Sequence, residues 1–456
     1  MKTGILLKSL LDVADMTQKD FAESVFTSPS TISKIITNKH LISPSDEKSF
    51  SVKSSRILAN SIYESNCYFK FKDIFPVVYD FSSKHDLEQF LLKAFLYAIE
   101  LDRENSEAYI SKNNASKHYV GKEHIMQMFC IIASDYLRSD RHELLEFYSA
   151  LPLAIGYSQI GLDEIKIVPP ELQREIVFHQ LFDPTQCQKG ADDCAVDDIY
   201  TTFKTEMYTD LYRWQAELDP TKPFLLLKDK YIILFDRQID GTPHMTFITN
   251  KQELENIFDH IARIMSKAER LTFTQDDIEE FLSEEPMSGG RIIDGIINAI
   301  SGLSGDEPSS DQITEGLRHL LHELVQHETE IFFSADVLKS FIFNSKIFSS
   351  LMPVSDIPPQ EQINFLNIIR DYMRIYKNAP VRIMNISLHS IIAICKDELS
   401  LICIINPFSM KVKYHLIDSM SLKEQMDKSN TRSYINIPDF IGNLIDQAND
   451  AYPNKR

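Results

Sequence analysis

Positive charge is what this sequence is short of. Its 456 residues carry 47 Lys and Arg against 66 Asp and Glu, a net charge of −19. A polyanion is repelled by most of such a surface. The shortage is uneven. Residues 1–60 hold eight cations (positions 2, 8, 19, 34, 39, 48, 53 and 56) and six carboxylates, a net +2, which leaves −21 on the rest. Contact with a nucleic acid is therefore expected only within that first segment. Long apolar runs are missing too. "PFLLLKDKYIILF" is broken by charge well short of the ~18 residues a membrane span needs. The stretch "MKTGILLKSLLDVADM" has no extended apolar core and no small-residue cleavage site, so no secretory signal is expected. The six cysteines (67, 130, 187, 194, 395 and 403) are scattered, as reduced thiols are and a disulfide framework is not. These absences together predict a cytoplasmic protein.

Phosphate-cradling and nucleophile motifs are absent as well. There is no G-x-G-x-x-G, no Walker-type glycine loop and no G-x-S-x-G. "HLLHELVQH" (319–327) offers His319, His322 and His327, but His327 lies five residues past His322, turned by about 140° round a helix axis. His179, Cys187, Asp193 and Cys194 lack the two-to-four-residue ligand spacing of a zinc pair. No catalytic residue, metal ligand or cofactor is therefore expected, and the chain is not read as an enzyme.

What is present is a chain long enough for two to four domains at ~100–200 residues each. Residues 4–60 read as short helices, and residues 65–182 as mostly helical, with strong amphipathic patterns at 86–102 and 123–137. "RHELLEFYSAL" (141–151), "DEIKIVPPELQREIVFHQLF" (163–182) and "YTTFKTEMYTDLYRWQAEL" (200–218) also read as helical. Two strands flank the turn Lys228-Asp229-Lys230, "HMTFIT" adds a third, and a helix spans 252–271. Residues 284–312, rich in Gly, Ser and acid, read as a linker. Beyond it come a helix at 313–330, a long helix at 360–378, four strands between 381 and 418, and a closing helix at 437–450.

One short stretch, "TQKDFAESVFTSPSTISKI" (17–35), carries more chemistry than the rest. Thr17 can cap one helix. Ser28 can cap the next, with Pro29 at its first position, where a missing N–H is harmless. Phe21 and Val25 fall on one face, and Ala22 is small enough for a close helix crossing. Ile32, Ile35 and Ile36 form one buried stripe. Ser30, Ser33, Lys34 and Thr37 then face outward, with groups that can bond base edges or phosphates.

The spacing of Gln18, Ala22, Ile32 and Ile35 resembles the DNA-binding domain of the Cro/CI-type (XRE) transcriptional regulators, over about 60 residues. The resemblance implies a DNA-binding set of Gln18, Ser28, Ser30, Thr31, Ser33, Lys34, Asn38 and Lys39. Gln18 would start the bracing helix beside the phosphate backbone. Ser28, Ser30, Ser33 and Lys34 would face the groove, and Asn38 and Lys39 would meet phosphates. The family's turn carries a glycine where Phe26 or its neighbour Thr27 stands here, which leaves the turn geometry open.

The expectation is an α+β multidomain chain: an all-α helix-turn-helix domain (1–64), a helical domain (65–199), an α+β unit (200–283), the linker (284–312) and a second α+β unit (313–456) for dimerisation or sensing. Its function would be sequence-specific binding of double-stranded DNA in transcription regulation, as a homodimer, with a small-molecule or peptide effector and no membrane partner. The alternative is a protein-interaction scaffold whose helix-turn-helix does not read DNA.

Overall fold

The structure is a computed structural model. It describes residues 1–64, 68–104, 116–138, 144–151, 165–167, 176–183, 205–206, 209–218, 222–274, 330–334, 359–375, 381–384, 391–396, 399–405, 412–418 and 437–451. The linker at 284–312, the histidines at 319–327 and residues 187–194 lie outside them. The described residues form an α+β multidomain fold, which divides into two compact units: Met1–Val177 with Leu218–Ser266, and Phe178–Glu217 with Lys267–Arg456. No helix among them is long and apolar enough to cross a membrane.

The first unit opens with four helices: α1 (Thr3–Val13), α2 (Gln18–Ser24), α3 (Pro29–Ile36) and α4 (Glu47–Glu64). Two further helices of the unit hold them in place. α5 (Tyr68–Ile74) and α6 (Lys84–Glu104) pack on α1, and α6 also packs along α4. Leu58, Ala59 and Ile62 of α4 are buried, as are Phe90, Leu91 and Phe95 of α6. Polar ties lock the packing: Arg103 pairs with Glu47, the Thr3 amide donates to Asp102 (3.0 Å), and the Ser61 hydroxyl donates to the Ala14 carbonyl (3.1 Å).

Next come β1 (Val77–Val78), β2 (Lys117–Val120), α7 (Lys122–Arg138), β3 (Leu145–Ser149) and β4 (Lys166–Ile167), which pairs with β1. β5 (Ile176–Phe182) and β6 (Asp210–Gln215) come after them in the chain, then β7 (Phe224–Leu227), β8 (Tyr231–Arg237), β9 (Pro243–Ile248) and helix α8 (Lys251–Met265). In the first unit the antiparallel order is β3-β7-β8-β9-β2. α8 covers one face through Leu254 and Ile261, against Tyr148, Leu226, Ile232 and Ile248. α7 packs on the outer strands of this sheet, with the Tyr136 ring 4.7 Å from that of Tyr231. Lys228, Asp229 and Lys230 form the turn between β7 and β8 as expected, with Asp229 at φ 60°.

Three stretches expected to be helical contain strands: β3 in the first, β4 and β5 in the second, and β6 in the third. The sequences of β3, β5 and β6, "LEFYS", "IVFHQLF" and "DLYRWQ", are dense in aromatic and β-branched residues, which suit a pleated surface better than a helix.

In the second unit β10 (Glu269–Arg270) pairs with β6. A six-stranded sheet runs β11 (Thr272–Thr274), β16 (Val412–Asp418), β15 (Leu399–Ile405), β14 (Ile391–Lys396), β12 (Glu330–Ser334), β13 (Val381–Met384). It is antiparallel except for the β12–β13 pair. Helices α9 (Pro359–Ile375) and α10 (Ile437–Ala451) pack together, with Leu366 and Ile441 fully buried.

This unit buries a charged cluster. The Thr272 hydroxyl accepts from the Arg213 amide (2.8 Å) and shares a second hydrogen bond with Nδ1 of His415 (3.1 Å). Nε2 of His415 faces Oε2 of Glu206 at 3.5 Å. Lys413 donates to the Leu211 carbonyl (3.2 Å) and lies 3.7 Å from Glu206 and 3.5 Å from Asp210. Its ammonium also sits 4.0 Å from the Tyr212 ring centre. Burial, opposed by Lys413 and reinforced by Asp210, pushes the Glu206 carboxyl up to about 8. Burial, with Arg213 and Lys413 adding to it, holds His415 well below the usual histidine range.

Candidate nucleic-acid interface

The candidate interface is built by helix caps. Thr17 Oγ1 accepts from the Asp20 amide (3.2 Å) and starts α2; Ser28 Oγ accepts from the Thr31 amide (3.1 Å) and starts α3. Phe21, Ala22 and Val25 of the first helix and Ile32 and Ile35 of the second are buried together, which fixes the crossing. α1 closes the other side of α3.

All three leading helices end in the same way. An amide past the end of each helix returns to a carbonyl five residues back: Met16 to Leu11 (3.0 Å), Thr27 to Ala22 (2.8 Å) and Lys39 to Lys34 (2.8 Å). The residue just before that amide is left-handed in each case: Asp15 (φ 49°), Phe26 (φ 59°) and Asn38 (φ 55°). The open question of the turn is thereby answered: Phe26, not Thr27, occupies the glycine position. A left-handed conformation costs a residue with a Cβ about 1–2 kcal/mol, while glycine there costs roughly 0.5–1 kcal/mol in backbone freedom. Phe26→Gly is therefore expected to stabilise the helical head by up to about 1 kcal/mol, seen as slower hydrogen exchange at α2 and α3 amides. Unchanged or faster exchange would mean that the ring holds the turn.

Gln18, Ser28, Ser30, Ser33, Lys34, Asn38 and Lys39 are exposed; Thr31 is half-buried. Ser33 and Lys34 share the outward face of α3 with Ser30, and neither Lys34 nor Lys39 forms an ion pair among the described residues. Other members of the set have structural employment. Ser28 caps the helix and bonds the Ser30 and Thr31 hydroxyls (2.9 and 2.8 Å). Asn38 terminates α3, with Oδ1 turned toward Gly4: a Cβ added there would meet it at 2.8 Å. Asp20 and Glu23 place two exposed carboxylates on α2, which would repel phosphates.

One residue, Gly4, escaped the sequence reading. Gly4 lies under the carboxyl end of α3, where its lack of a side chain permits contact with the Ile35 and Ile36 carbonyls. A glycine inside an apolar helical pattern was the available signal. Phe26 is 87% exposed, with the Lys53 ammonium 5.7 Å from its ring centre.

Elsewhere, Nδ1 of His179 accepts from the Trp214 indole (3.2 Å). Among the described residues no group of three or more His, Cys, Asp and Glu is arranged to hold a metal ion.

No protein-family model matches the chain, and no curated protein does. Among solved structures the chain is similar to TrmBL2, described as an archaeal chromatin protein that shows a novel mode of DNA binding. The identity is 8% and the TM-score 0.23, over 48% of this chain and 88% of that one, a likeness too slight to carry any argument.

Proposed function

We propose that the chain binds double-stranded DNA through α2 and α3 and acts as a transcriptional regulator. One observation carries the reading. α3 buries Ile32 and Ile35 while Ser30, Ser33 and Lys34 stand outward together, in an opening 60-residue segment whose charge balance is positive in an acidic chain. A helix so presented suits the major groove, with α2 bracing across the backbone. The remainder is assigned to dimerisation and signal sensing, because twofold half-sites are the usual remedy for the small surface of one reading head. No reaction is assigned to it.

Binding of the full chain to mixed genomic duplex tests this. Lys34→Glu removes one cation and adds one anion at the groove, so affinity should fall at least about tenfold. Wild-type affinity in both Lys34→Glu and Ser30→Glu would remove α3 from the interface. A second reading is a protein-docking head that does not read DNA, to which the exposed Phe26 ring would offer an apolar contact. It predicts no duplex binding by the wild type at low salt.

A further inference from the structure

The reading head is poor in side chains that can tell one base from another. Discrimination in the major groove needs a group of fixed polarity: Arg or Lys on guanine, Asn or Gln on adenine, Asp or Glu on cytosine. A hydroxyl both donates and accepts, so it fits any base edge. α3, "PSTISKII", contains no Arg, Asn, Gln, Asp or Glu. Its polar residues are Ser30, Thr31, Ser33 and Lys34. Thr31 is tied to the Ser28 cap at 2.8 Å, and Ser30 bonds the same oxygen at 2.9 Å. Past the helix end, Thr37 donates back to the Ser33 carbonyl (2.8 Å) and Asn38 is turned toward Gly4. Lys34 alone is exposed, of fixed polarity and on the groove-facing side.

We propose that this head is a sequence-tolerant duplex binder whose base preference is confined to a guanine contacted by Lys34. The inference rests on the DNA-binding reading above. Affinity would then come chiefly from phosphates, met by Lys39 and the other exposed cations of the head. It would also depend steeply on salt. For each bound head the ratio of best to random sequence would stay near roughly 10- to 100-fold, the discrimination one good base contact supplies.

The test is selection of the full-length protein against a randomised duplex pool, with sequencing of the retained fraction and anisotropy at several salt concentrations. The expected motif has one enriched guanine per bound head. In Lys34→Ala that enrichment disappears while duplex binding persists. Lys39→Ala weakens every sequence equally. A motif of about four or more fixed base pairs per head, or a guanine preference that survives Lys34→Ala, overturns the inference and leaves DNA binding standing. Retention of no duplex at all overturns the DNA reading and this inference with it.

Discussion

Gly4→Val should loosen the whole helical head. A Cβ built at Gly4 falls 2.4 Å from the Ile35 carbonyl oxygen and 2.7 Å from that of Ile36. Both atoms are backbone at the end of α3, so no side chain can swing away. Helix propensity alone would favour Ala over Gly here by about 1 kcal/mol. Forcing α1 and α3 apart costs more, typically about 1–3 kcal/mol for overpacking. Gly4→Ala should thus destabilise the head modestly and Gly4→Val strongly, as faster hydrogen exchange along α1 and α3. The displacement also moves Lys34 and Ser33 relative to α2, so duplex affinity should fall in the same order. A Gly4→Val protein with native exchange would show that α1 does not set the position of α3.

Gly4 illustrates what the sequence hides. The caps at Thr17 and Ser28 were legible because a polar residue before an apolar period has one structural use. The β7–β8 hairpin was legible because two apolar runs flank a charged three-residue turn. A helix crossing distance is not local. Nothing near Gly4 in the chain announces that residues 35 and 36 will press on it. Phe26 sharpens the point. The turn called for a left-handed residue, and the sequence could not say whether Phe26 or Thr27 would take it. The returning hydrogen bond from Thr27 to Ala22 decides it, because that bond fixes which residue makes the turn. β3, β5 and β6 were missed for another reason: short, aromatic-rich runs beside acidic residues satisfy a helical and an alternating pattern equally well.

The charged cluster of the second unit was the least legible feature, and it yields the last expected result. The sequence "VKYHLID" alternates as a half-exposed strand does, with Lys413 and His415 on the polar side, yet they are 1% and 0% exposed. Their partners, Glu206 and Asp210, lie some two hundred residues earlier. Glu206, normally ionised above about 4.5, keeps its proton in the folded chain up to about 8. Between those values the unfolded chain has released a proton that the folded chain still holds, so stability falls as pH rises. His415 acts at the other end: it stays neutral when folded, and the unfolded imidazole gains a proton below about 6.5, so stability falls as pH drops. Between about 4.5 and 6.5 the two slopes oppose each other, and from 6.5 to 8 only the Glu206 slope remains. It is at most about 1.4 kcal/mol per pH unit for one proton. Trp214, the only tryptophan in the chain, sits in β6 beside this cluster, so its fluorescence reports the second unit alone. The urea midpoint followed by that signal should decline from pH 6.5 to 8 in the wild type. In Glu206→Gln, a neutral group of the same shape, the decline should vanish, and a loss below pH 6.5 that the Glu206 slope offsets in the wild type should emerge. Parallel profiles in the two proteins would show that Glu206 is ionised in the folded state and paired with Lys413 throughout.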